Sequence, residues 1–106
     1  MRTDRGFFCL PEVDMNIPFT NGMAQLVQAK LSASAAYEAM LTGRRFSAEE
    51  ALAAGFVAEA VPEAEVVPAA IARAQALASK DRNTVSTIKQ RMYPGVIEAL
   101  SETVDF

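Results

Sequence analysis

Leu41-Thr42-Gly43-Arg44-Arg45-Phe46-Ser47-Ala48-Glu49-Glu50-Ala51 is the stretch that decides how this 106-residue chain is read. Gly43 follows the apolar positions Tyr37, Met40 and Leu41 and reads as the left-handed glycine that ends a helix capped at its start by Ser32. Ser47 and Glu50 have the spacing of a capping box, each side chain able to bond the other's backbone N–H, so a second helix opens almost at once. Gly55 stops it. Downstream, Phe56–Val61 alternates as a strand does and is closed by Pro62. A helix over Glu63–Ala78 follows, with apolar positions Val67, Ile71, Ala74 and Leu77, and Pro68 is compatible with it only near the first turn. Another begins near Asp81, carries Val85, Ile88 and Met92, and is interrupted by Pro94-Gly95 before a short last helix with Val96, Ile97 and Leu100. Upstream, Met23, Leu26, Val27 and Leu31 fall at helical spacing. Asp14 to Gly22 is a loop rich in turn residues, and Gly6 to Val13 supplies one short strand.

Composition narrows the class. Half the residues are apolar (51%) and charges of both signs are interspersed, which is the make-up of a folded chain. A net charge of −3 without any Lys/Arg run longer than two residues leaves no electrostatic footprint for nucleic acid. The apolar runs are broken well short of the roughly 18 residues a membrane span needs, and the start, Met1 to Leu10, is too short and too acidic for a secretion signal. A single cysteine, Cys9, excludes an internal disulfide and fits a reducing cytoplasm, and without histidine a zinc site of the usual ligands is not expected. Many inward positions are alanine, which buries little area. The helices are therefore expected to pack on something beyond themselves.

Few residues offer chemistry. Glu12 ends the apolar run Phe7-Phe8-Cys9-Leu10-Pro11 and reads either as a desolvated carboxylate suited to proton transfer or, the commoner case, as a solvated loop acid. Asp14 reads as a turn cap, Arg44-Arg45 as a solvated pair at a helix exit, and Lys89 as the polar side of an amphipathic helix. Cys9 has no histidine to activate it. No phosphate-cradling glycine loop or Ser/His/Asp set can be assembled.

The order of motifs adds a resemblance. Phe8-Cys9-Leu10-Pro11-Glu12-Val13 is similar to a crotonase-superfamily segment, Phe-Gly-Leu-Pro-Glu-Val. Leu41 to Ala51 resembles the family's Leu-Thr-Gly-Arg run with its closing Glu-Ala, Gly55-Phe56-Val57 with Ala60-Val61-Pro62 resembles its Gly-Leu-Val and Val-Val-Pro, and Lys89 falls on the family's late-helix lysine. The resemblance covers essentially the whole chain. It implies the C-terminal portion of a crotonase-like α+β fold, predominantly helical with one to three short strands. Residues 1–22 would be the end of a spiral-core strand and the active-site loop, and 23–106 a helical C-terminal and oligomerisation region.

The resemblance also implies a function. Glu12 matches the family's catalytic glutamate, with Ile17, Phe19 and Lys89 as substrate contacts, no metal, and no cofactor beyond the coenzyme A thioester that is the substrate. Asp14-Met15-Asn16-Ile17-Pro18-Phe19 lacks the glycine pattern of the hydratase loop and looks more like that of short enoyl-CoA isomerases, so Δ3,Δ2-enoyl-CoA isomerisation is the expected reaction, with hydration as the alternative. The oxyanion-hole segments of the family lie in an N-terminal half not represented in these residues, and the chain is expected to be incomplete for catalysis alone. A homotrimer or hexamer is the implied assembly. The rival from another class is a non-catalytic helical oligomerisation module. No Ser-Lys-Leu peroxisomal ending is present, and the expected location is cytoplasmic.

Overall fold

The computed structural model describes residues 1–104; Asp105 and Phe106, the last two positions of the expected helical region, lie outside the described residues. A 3₁₀ turn at Pro11–Val13 precedes six helices: α1 (Asn21–Lys30), α2 (Ala33–Thr42), α3 (Ala48–Ala54), α4 (Glu63–Ala78), α5 (Arg82–Met92) and α6 (Pro94–Leu100).

Local signals set the helix ends. The hydroxyls of Thr20, Ser32 and Ser47 and the carboxylate of Asp81 each accept a backbone N–H three residues on, at 3.2, 3.2, 3.1 and 2.9 Å. Glu50 closes the capping box by accepting the Ser47 amide at 3.0 Å. Gly43 (φ +64°) and Gly55 (φ +82°) end α2 and α3 in the left-handed region. Helix α4 runs through Pro68 rather than beginning near it. Ala64, whose carbonyl loses its donor, is exposed, so water can take that place.

The two expected strands are each reduced to a single bridge. In Gly6–Val13 only Phe8 pairs, antiparallel to Phe46, because Pro11 turns the chain into the 3₁₀ turn two residues after Cys9. In Phe56–Val61 only Val61 pairs, parallel to Arg2, with Thr3 N–H donating to the Val61 carbonyl and Val61 N–H to that of Met1, both at 3.0 Å. A strand needs a continuous neighbour, and among the described residues neither segment has one.

The core is small. Ala39, Phe46 and Ala51 form its centre, with Met1, Phe8, Leu10, Phe56 and Val57 against it. Phe46, 1% exposed, is its one large fully buried side chain among the described residues. The Phe56 ring meets Phe46 edge-on and stacks on Phe8, each with centroids 4.6 Å apart. A second contact joins α1 to α6: a Cβ at Gly22 would lie 2.9–3.0 Å from Leu100 and the Ala99 carbonyl, so only glycine permits that approach. From residue 71 to 92 every position is exposed. The radius of gyration, 15.9 Å, exceeds the ~13 Å of a compact domain this size. Helices α4 and α5 thus extend from the core rather than pack into it.

Candidate active site

Glu12 sits at the centre of the 3₁₀ turn that Pro11 starts. The Pro11 carbonyl accepts from the amides of Asp14 (3.0 Å) and Met15 (3.1 Å), and the Glu12 carbonyl from Met15 (3.1 Å) and Ile17 (3.0 Å). The last of these spans five residues and closes over Asn16, which takes φ +58°, a conformation asparagine tolerates better than most. Both carbonyls at the head of the turn are thereby engaged. The Glu12 side chain is different: its Oε2 is buried and has no hydrogen-bond partner among the described residues. Buried oxygens without donors are rare because the lost hydration is uncompensated, and each calls for an explanation.

Both flanks of this turn rest on the strip Gly43–Phe46 between α2 and α3. Before Glu12, Phe8 and Phe46 exchange both backbone hydrogen bonds, at 2.9 and 2.8 Å. After it, Val13 and Asp14 lie over Gly43 so closely that a Cβ there would be 3.2 Å from Val13 Cγ1 and 2.7 Å from Asp14 Oδ2. Asp14 is the turn cap the sequence indicated.

Arg44 departs from its reading as a solvated charge. Its guanidinium donates to Glu38 (2.6 Å), Glu50 (2.9 Å) and the Arg45 carbonyl (3.1 Å) and lies 3.7 Å above the Phe46 ring centroid. The Ser47 amide and Arg44 hold the Glu50 carboxyl below its ordinary range. Arg45 stacks on Phe7, 4.2 Å from the ring centroid.

The other expected contacts are spread out. Ile17 is bonded to Glu12 through the backbone and is 44% exposed. Phe19 lines a groove between the start of α1 and the end of α6, with Gly22, Leu100 and Val104. Lys89 lies elsewhere, in a groove of about 550 Å³ whose apolar floor is Leu77, Val85 and Ile97. Lys80 and Arg82 share that groove and were not singled out from the sequence, although Arg82, Val85 and Lys89 follow one helical face. Glu12 and Ile17 thus come together, while Lys89 belongs to the α5–α6 side of the molecule.

Glu12 thus lies half-buried on a turn beside the helical region. Residues 2–106 match the sequence profile of the enoyl-CoA hydratase/isomerase family, and the chain belongs to that family. It is 34% identical to enoyl-CoA delta isomerase 3 of Arabidopsis thaliana over 99% of its own length and 46% of the relative's. It is 35% identical to a probable enoyl-CoA hydratase of Mycobacterium tuberculosis over 76% of its length and 28% of the relative's. The structure of an enoyl-CoA hydratase/isomerase family protein from Pseudomonas syringae superposes with a TM-score of 0.84 at 25% identity, covering 93% of this chain and 43% of that one. The chain spans less than half the length of these relatives. Other relatives carry "peroxisomal" or "mitochondrial" in their names, and no helix among the described residues is long and apolar enough to cross a membrane.

Proposed function

We propose that the chain is the C-terminal part of an acyl-CoA enzyme, a Δ3,Δ2-enoyl-CoA isomerase, with Glu12 as its general acid/base. The supporting observation is the buried, unpartnered Oε2 of Glu12. Burial strips solvent from that oxygen, and the absence of a competing donor leaves it free for a substrate C–H. The Glu12 carboxylate takes a proton from C2 of a 3-enoyl thioester, and the electron pair delocalises into a dienolate. The same carboxyl returns the proton at C4, moving the double bond to C2–C3, so one side chain serves both steps and no redox cofactor or metal is required. Ile17 and Phe19 line the acyl side.

Lys89, with Lys80 and Arg82 in the same groove, meets the phosphates of coenzyme A. The donors that stabilise the enolate oxygen, each worth roughly 10²–10³ in rate, are assigned to a segment or chain outside these 106 residues. Residues 1–22 are the end of a spiral-core strand and the active-site loop, and 23–106 the helical region through which copies assemble as a trimer or hexamer. Supporting that assembly are the exposed apolar side chains of α4 and α5, among them Val67, Ile71, Leu77, Ile88 and Met92. A reducing, cytoplasmic location is assigned from the single cysteine.

The test is 3-enoyl-CoA isomerisation with Glu12→Gln alongside, and sedimentation of the same samples. Activity abolished by Glu12→Gln, in this chain or in an assembly containing it, supports the reading. Hydration of 2-enoyl-CoA without isomerisation moves the protein to the hydratase branch. Stable self-association with neither activity, even alongside a chain supplying the oxyanion segments, leaves an oligomerisation module.

A further inference from the structure

We propose that Arg44 is the positioning residue for Glu12, acting through the strip Gly43–Phe46 on which the glutamate's turn is seated. The inference rests on the reading of Glu12 as the acid/base and adds a residue to it.

Among the described residues no hydrogen bond holds Oε2 of Glu12. Its placement is inherited from the backbone on either side. Before it, the Phe8–Phe46 bridge is the only ladder pairing in the segment among the described residues. After it, Val13 and Asp14 press on Gly43, whose missing Cβ makes the room. Both supports belong to four consecutive residues between two helices, and a short connection of that kind keeps its conformation only if both helix ends are held. Arg44 does the holding. Nε bonds Glu38 on α2, Nη1 bonds Glu50 on α3, and the guanidinium plane covers Phe46. The Nη1 bond to the Arg45 carbonyl also fixes the strip's own backbone. Glu50 is itself held by Ser47, so the clamp is anchored in the capping box.

The chain of contacts is guanidinium to Phe46, Phe46 backbone to Phe8, and Phe8 along four residues to Glu12. A planar fork that bonds two carboxylates and stacks on a ring is something arginine does and lysine does not. The role is not read from ion pairing alone: the half-buried Arg2 and the exposed Arg73 also pair with carboxylates, yet their partners Asp4, Glu63 and Glu59 do not border the strip.

The experiment uses Arg44→Met, which keeps an apolar stem over Phe46, Arg44→Lys as the conservative variant, and Asp81→Ala as a control that uncaps α5, away from the strip. Amide exchange at Phe8 and Phe46 on the full chain reads the mechanical link. Exchange at both amides is expected to speed up by about tenfold in Arg44→Met, less in Arg44→Lys, and to be unchanged in Asp81→Ala. Equal acceleration in Arg44→Met and Asp81→Ala would overturn the proposal, since the effect would then be general loosening.

Isomerisation kinetics, measured in an assembly that includes a chain supplying the oxyanion segments, read the functional link. Arg44→Met is expected to lower kcat by on the order of tenfold to a hundredfold with little change in KM, and to have no further effect in the Glu12→Gln background. A loss that persists undiminished in that background would show Arg44 acting elsewhere and overturn the proposal. Full activity in Glu12→Gln alone would instead remove the assignment of Glu12, a failure the exchange data do not share.

Discussion

Gly43→Ala against Gly55→Ala separates backbone strain from steric pressure on the glutamate turn. Both glycines end helices in the left-handed region, at φ +64° and +82°. An alanine there costs about 1–2 kcal/mol in conformation, partly offset by about 0.4–1 kcal/mol from a stiffer unfolded chain. That part applies to both sites, and +82° is the further from the left-handed optimum, so strain alone would make Gly55→Ala at least as costly. The surroundings reverse the order. At Gly55 an added Cβ meets nothing within 4 Å. At Gly43 it would lie 2.7 Å from Asp14 Oδ2, 3.2 Å from Val13 Cγ1 and 3.3 Å from Asp14 Cγ.

The Asp14 carboxylate can swing away, whereas the β-branched Val13 has few rotamers to move to and must give by a few tenths of an ångström. Overpacking of this kind costs about 1–3 kcal/mol. Gly43→Ala should therefore destabilise by about 1–3 kcal/mol more than Gly55→Ala. Asp14→Ala removes the nearest contact and should recover about 0.5–1 kcal/mol of that excess as coupling in a double-mutant cycle. Urea unfolding followed by far-ultraviolet circular dichroism measures each term, provided the slope with denaturant stays constant. The reasoning is refuted if Gly55→Ala is equally or more destabilising, or if Asp14→Ala leaves the cost of Gly43→Ala unchanged.

Three further outcomes are expected. Phe46→Ala should destabilise by about 3–5 kcal/mol, and Phe46→Leu by clearly less, as read from thermal melts; an unchanged melting temperature would show that the cluster around Phe46 is not the core. Glu12→Met should leave stability unchanged or raise it by about 1 kcal/mol, because it removes a buried oxygen that bonds nothing, and a marked drop in melting temperature would mark Glu12 as structural. Acid should destabilise the chain through Glu50 and Asp81, held below their ordinary values of 4.5 and 3.8 by Ser47 with Arg44 and by Thr84 respectively. With folded values depressed, the unfolded state binds protons first, so their contribution is present above those ordinary values and fades as pH falls through the folded ones. Melts from pH 6 to 3 with Glu50→Gln, which should flatten the decline, test this.

What the sequence made legible was what is local. Ser32, the Ser47–Glu50 box, Asp81, Gly43 and Gly55 each act within one helical turn, and every boundary drawn from them stands. Extended structure failed the same treatment because pairing is not local: whether Phe8 belongs to a strand depends on Phe46, and Val61 on Arg2. Thr20 escaped notice as a cap because Pro18-Phe19-Thr20-Asn21-Gly22 reads as pure turn, though its hydroxyl opens α1. Glu12 was identifiable by pattern, yet its one distinguishing property, an oxygen with no partner, exists only when the surrounding segments close on it. Arg44 was misread for the same reason. Glu38 and Glu50 stand six residues to either side, a spacing that means nothing until two helices meet at a short connection.

The distribution of order through the chain supports a division of labour. Residues 71–92 are exposed throughout, while the buried aromatic contacts, the capping box and the arginine clamp converge on the strip beneath Glu12. In the role proposed for it, the Glu12 carboxyl needs fixed geometry, and fixing it with direct hydrogen bonds would occupy the oxygen the chemistry uses. Seating the backbone on both sides of the residue instead leaves that oxygen free and places the cost of rigidity on side chains that never meet substrate. If this is the principle at work, variants that loosen the strip and variants that remove the carboxyl should separate: the first lose stability and turnover together, the second lose turnover while stability holds. Gly43→Ala and Glu12→Met are the two poles, and finding both losses in both variants would mean that Glu12 is part of the scaffold it sits on.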